Sequence, residues 1–217
     1  MPARTVPPVR ETGQVERREQ ILVAAAREFD RAGFAGASIA GIARTAGVPQ
    51  GTLHFHFPTK LSMALAVIDE QNSRTFAVVS HGDGSPTAAL IGASRAIAEL
   101  LRTDAIVRAG IRLSLERGEF AHATASFYEQ WIGGIVDVFR SAIASGELRT
   151  DLAAEQLGAT VVPYFTGVQL VSEVRTGRAD LFAAVETMWH VLLAGTVDPR
   201  HRERLFGVVA EAFRGAD

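Results

Sequence analysis

Few residues in this chain could do covalent chemistry. Cysteine is absent, so thiol nucleophiles, disulfides and Cys-zinc sites are excluded. No G-x-S-x-G elbow, H-E-x-x-H pair, P-loop or dinucleotide fingerprint occurs, so the chain reads as a non-enzyme that carries no cofactor. Glu116 and Glu119 share a helical face, but an exposed carboxylate pair is ordinarily just solvated. His54 and His56 invite a metal. Two apart on a helix, they point to different sides and cannot share one ion, so no metal site is expected.

The spacing does offer recognition chemistry. Gln50, Gly51, Thr52 and His54 crowd one short stretch. Gln pairs with adenine edges, Thr meets a thymine methyl or a phosphate, and Gly lets backbone approach backbone. Lys60 is the single lysine of the chain and is placed to reach a phosphate; Ser38 and Thr45 complete the candidate DNA-contacting set. A second group lies downstream. Trp131, set among Phe127, Ile132 and Ile135, is a flat apolar surface with one N–H donor. It is either a core tryptophan or the wall of a pocket. Thr166 falls within the apolar run 161–171, where a buried hydroxyl must bond back to its own helix or meet a ligand. Gln130 and Gln169 are weaker polar candidates, and Pro163 should kink the helix and open space beside it.

Helices must position nearly all of these residues. An apolar stripe at Ile21, Leu22, Ala25 and Phe29 has helical spacing and stops at Gly33. Ser38 can cap a short helix carrying Ile39, Ile42 and Ala43; Gly47 turns the chain, and Pro49 to Phe57 forms a third short helix. A long helix follows from about Thr59 to Val79. Residues 80–86 are the clearest linker, and Ser85-Pro86 restarts a helix. Asp104 and Asp151 are candidate caps for later helices. Strand alternation is essentially absent and no internal repeat of 20–50 residues occurs, so the expected fold is all-α. The expected domains are a disordered arm at 1–14, a helix-turn-helix domain at 15–60 and a larger helical ligand-binding and dimerisation domain at 61–217.

Short helix, glycine turn, short helix is the helix-turn-helix plan, in which the second helix enters a major groove. From Ile21 to Lys60 the chain resembles the TetR family of transcriptional regulators, through AAREF (25–29), AGF (32–34), SI (38–39), IA (42–43), AGV (46–48), GTL (51–53), FHF (55–57) and Lys60. It departs from the family at His54, where Tyr is usual, at Pro49 and Gln50, and at Leu61, where an acidic residue usually follows the lysine. The body is similar to the γ-butyrolactone receptor branch through VRAGIRLSLE (107–116), FYEQW (127–131), VVPYFTGVQLVSE (161–173) and ETMWHVLLAG (186–195). That branch controls secondary metabolism in actinomycetes. The resemblance implies a homodimeric repressor on a palindromic double-stranded operator, released by a small apolar signalling ligand. It implies a phosphate contact by Lys60 and a pocket formed by Trp131 and Thr166. It also implies dimerisation through the last two long segments, here Leu157, Val161, Val168 and Val171 with Leu181, Val185, Trp189 and Leu192, unless these complete the subunit's own core.

Charge and composition agree with that division. Of 217 residues, 47% are hydrophobic and 21% charged, enough to bury a sizeable core. The formal net charge is −2, but residues 1–60 carry 8 basic against 5 acidic side chains and the remainder 14 against 19. A mildly basic head on an acidic body can touch phosphate locally. No apolar run approaches the roughly 18–20 residues of a membrane span, and the first residues hold no secretory apolar segment. A cytoplasmic location is therefore expected.

Overall fold

The computed structural model describes residues 9–78, 85–116, 118 and 120–215. Glu119, paired with Glu116 above, lies outside the described residues. The described residues form α1 (Val9–Gly36), α2 (Ile39–Ala46), α3 (Gln50–His56), α4 (Lys60–Ala77), α5 (Pro86–Thr103), α6 (Ala105–Leu115), α7 (Ala121–Ala144), α8 (Ala154–Thr176), α9 (Leu181–Thr196) and α10 (Arg202–Phe213), with a 3-10 turn at Pro199–His201. The all-α expectation holds. Residues 9–14, assigned to a disordered arm, instead begin α1.

Two compact units emerge. The first comprises Met1–Ser73 and Ala105–Thr124, the second Arg74–Asp104 and Ala125–Asp217. The first unit therefore includes most of α4 and all of α6, beyond the boundary expected at residue 60. Its core explains this. Ile21, Ala25 and Phe29 of α1 meet Ile42 and Ala46 of α2, Leu53 of α3, Met63 and Val67 of α4, and Ile106 and Leu113 of α6. Removing a side chain such as Phe29 (0% exposed) from water contributes about 2–3 kcal/mol, and three short helices cannot cover these faces alone.

The second unit packs α5, α8, α9 and α10 against one another with α7. Trp189 is buried and its Nε1 donates to Ser94 Oγ at 2.7 Å, which satisfies the indole that burial would otherwise orphan. Ser85 caps α5 by accepting from Ala88 N–H, as expected. Another expected cap acts differently. α8 starts at Ala154 behind Ala153, whose N–H donates to Gln156 Oε1 at 2.9 Å, so Asp151 does not cap it. Asp180 precedes α9, yet its carboxylate accepts from Ser172 and Thr176 at the end of α8. Both hydroxyls donate to the same oxygen, Oδ1, at 2.6 and 2.7 Å. α8 runs unbroken through Pro163.

Candidate nucleic-acid interface and ligand cavity

The α2–α3 pair is built by its caps. Ser38, in extended backbone, accepts from Gly41 N–H at 3.0 Å. Gly47 takes the left-handed conformation (φ 65) that ends α2 and turns the chain, where a side chain would be strained. Gln20 Nε2 donates to the Ala46 carbonyl at 2.8 Å and anchors the turn to α1. Pro49 precedes α3 without a side-chain cap, its carbonyl accepting from Thr52 and Leu53.

The predicted contact residues divide. Gln50, Gly51 and His54 are exposed along α3, and Thr52 is half-buried. Ser38 is exposed but spends its oxygen on the cap. Thr45 is exposed and donates to Glu28 Oε1 at 2.9 Å; Glu28 is held below the usual carboxylate range by Arg31 first and then by Thr45. His54 Nδ1 lies 3.3 Å from the Pro58 carbonyl. Lys60 is engaged within its own unit. Its Nζ turns inward, donating to the carbonyls of Phe34 at 2.8 Å and Ala37 at 2.9 Å and lying 4.5 Å from the Phe34 ring centroid. Carbonyls left unpaired by the end of α1 are the acceptors within its reach.

One surface residue escaped the sequence reading. Phe55 is 74% exposed, with its ring edge-on to His56 at 5.3 Å. Leu53 and Phe57 point inward one turn apart, so the residue between them must point out. That signal was present in the spacing. With Gly51 one turn before it, Phe55 gives α3 a face that is flat at one end and aromatic at the other.

In the second unit, a cavity is walled by Leu90, Ser94 and Ile97 of α5, Trp131 and Ile135 of α7, Val161 and Phe165 of α8, and Met188 and Trp189 of α9. Its free space for the centre of a water-sized sphere is about 30 Å³. The lining is almost wholly apolar, and Ser94 already accepts from Trp189 and donates to the Ile91 carbonyl. Such a site selects an apolar group by shape.

The predicted ligand residues are brought together only in part. Trp131 lines the cavity, 6.3 Å from the ring of Phe165. Phe127 is buried behind it, its ring 5.7 Å from that of Trp131. Thr166 Oγ1 donates to the Val162 carbonyl at 2.9 Å, the bond back to its own helix. Burial pushes the Tyr128 hydroxyl up, and the Thr166 hydroxyl acts the other way. Gln130 is exposed and turned away. Gln169 is buried, with no hydrogen-bond partner for Oε1 among the described residues, one turn beyond Phe165 on α8.

Most residues expected at a subunit interface take part in the core of their own subunit. Leu157, Val161, Leu181, Val185 and Trp189 are buried in their own subunit, and Val161 and Trp189 line its cavity. Val168 and Leu192 are half-buried, and only Val171 is largely exposed. Both helices are apolar on more than one face, so helical spacing marks the inner face as readily as the outer one.

Residues 21–67 match the sequence profile of the bacterial regulatory proteins of the tetR family, and residues 85–198 that of the tetracyclin repressor-like C-terminal domain. Over 179 residues the chain is 36% identical to the A-factor receptor protein of Streptomyces griseus; the match takes in 82% of this chain and 63% of that protein, so the chain spans just under two thirds of that relative. Full-length TylP, a TetR regulator from Streptomyces fradiae, is 32% identical, with a TM-score of 0.73 over 92% of this chain and 99% of its own. The TetR family protein CprB from Streptomyces coelicolor, solved in complex with its biological operator sequence, is 25% identical, with a TM-score of 0.78 over 92% and 98% of the two chains.

Proposed function

Since the chain belongs to the TetR family of bacterial regulatory proteins, we propose that it is a transcriptional repressor released from a palindromic operator by a small, largely apolar ligand of γ-butyrolactone type. The reading is carried by the cavity behind Trp131, an apolar, aromatic-walled space in a chain whose other unit presents a capped helix-turn-helix. In this reading α3 lies in the major groove and offers Gln50, Gly51, Thr52 and His54 to base edges and phosphates. Ser38 and Thr45 hold α2 against the backbone. The protein acts as a homodimer, because only paired heads reach half-sites roughly 34 Å apart, and it works in the cytoplasm, where the operator is. No helix among the described residues is long and apolar enough to cross a membrane.

The cavity's small free volume gives the mechanism its direction. Pockets for small ligands usually enclose about 300–1,000 Å³, so a ligand must part α5, α7, α8 and α9 to enter. It therefore binds an opened body better than the closed one and shifts the population toward it. Operator DNA, favouring the closed state, weakens ligand binding by the same factor.

The test is a mobility-shift titration with a duplex selected by the wild-type protein from a random pool, using synthetic alkyl γ-butyrolactones as the probe. We expect lactone to release wild-type protein, and Trp131→Ala to bind the duplex within about threefold of wild type without being released. Wild-type protein that binds lactone yet stays on DNA would refute the repressor reading. Loss of duplex binding by Trp131→Ala would make Trp131 a core residue only.

A further inference from the structure

Helix α1 is broken near its end. Gly33 has φ 71 and ψ 178, a region that in practice only glycine occupies. In an unbroken helix the Phe34 N–H would donate to the Asp30 carbonyl four residues back. The break separates the two groups, and the end of α6 supplies a partner to each. Glu116 accepts from the Phe34 N–H, Oε1 at 3.0 Å and Oε2 at 3.3 Å. Arg112 Nη1 donates to the Asp30 carbonyl at 2.5 Å. Arg108 Nε meets the Asp30 carboxylate at 2.8 Å. Positions 108 and 112 lie one turn apart on α6 and Glu116 follows just past its end, so the three serve one turn of α1. The lost bond is neutral; its replacements are charge-assisted and correspondingly stronger.

The broken segment leads straight into the DNA-facing helices. Residues 34–37 end at Ser38, the cap of α2, and Lys60 at the start of α4 holds the carbonyls of Phe34 and Ala37. A Cβ at Gly33 would come within 2.8 Å of Glu116 Oε1, so break and carboxylate fit one another closely.

We propose that Glu116 and Arg112 are positioning residues for operator binding. They fix the exit of α1 into the helix-turn-helix. The inference rests on the operator-binding reading above.

The test uses the full chain, the selected duplex and residue-resolved hydrogen exchange. Glu116→Ala should speed exchange at the Phe34 amide by about tenfold and weaken duplex binding by about tenfold. Glu116→Gln, whose side-chain oxygen still accepts, should stay within about threefold of wild type in both. Should Glu116→Ala fail to fold, Arg112→Met removes the donor at the other end of the missing bond and is expected to weaken binding similarly. Faster Phe34 exchange in the variant that folds, with duplex affinity unchanged, would overturn the proposal and leave the operator reading intact. Failure of the wild-type protein to select any duplex would overturn that reading and the proposal with it.

Discussion

Phe55 shows how much a single exposed side chain can say. A residue 74% exposed contributes little to folding, so truncation should change stability by no more than about 0.5 kcal/mol. On α3, however, its ring and the bare backbone of Gly51 form one continuous face. Apolar contact with a thymine methyl is the interaction such a face offers DNA. Phe55→Ala should therefore weaken operator binding by about fivefold to tenfold, most at sites carrying thymine opposite the ring, while the melting temperature holds. Fluorescence anisotropy on duplexes with thymine replaced by uracil checks this, since only the methyl is removed. Lys60 teaches the reverse lesson. A lone lysine in a basic segment suggests phosphate, yet its two strongest bonds go to carbonyls in its own unit. Charge alone does not say where a flexible side chain will spend its donors.

At the scale of elements, the ends of helices carry much of the specificity. The junction beyond α9 is an example. Asp198 caps the 3-10 turn by accepting from the Arg200 N–H and pairs with Arg200 Nε, both at 2.9 Å. Its own N–H donates to the Glu147 carbonyl, which ties this turn to the α7–α8 connection. The Arg200 guanidinium and backbone N–H hold the Asp198 carboxyl down to about 2, against 3.8 ordinarily. A depressed carboxylate stabilises the folded state fully above its unfolded value. That contribution is lost as pH falls from there through the folded value. Acid titration followed by circular dichroism should show wild-type protein losing stability between about pH 4 and pH 2. Asp198→Asn should be less stable at pH 7 and lose less over that acid range. A curve parallel to wild type would remove Asp198 from the acid transition.

For the whole molecule, the decisive surface is the one the monomer leaves uncovered. Val171 is 54% exposed and Val174 87% exposed on α8, and Val191 is 58% exposed on α9. For the homodimer proposed above, these exposed apolar residues of α8 and α9 are the surface we assign to association. Val171 is among the residues first expected there. Val191→Glu should cost the subunit little, because its site is already wet, yet place a charge in the dimer seam. Size-exclusion chromatography should then report monomers, and operator affinity should fall by about a hundredfold or more as the two heads bind singly. A dimer that persists would move the seam elsewhere. The modest excess of three positive charges over residues 1–60 makes paired binding the more necessary, and the complex salt-sensitive.

Much of this architecture was legible in the residue order. Helical spacing located the elements, Ser38, Gly47 and Ser85 marked ends that the structure confirms, and the run from Ile21 to Lys60 identified the DNA-binding plan. Those features are local, governed by residues within one or two turns of each other. What the fold alone decided depends on residues far apart in the chain. Glu116 reaches Phe34 across 82 positions, and Trp189 finds Ser94 across 95. The inner face of α8 and α9 was likewise settled only by what packs against it, since apolar residues circle both helices. Periodicity reports how a helix could bury a face; packing chooses which face is buried and which is left for a second subunit.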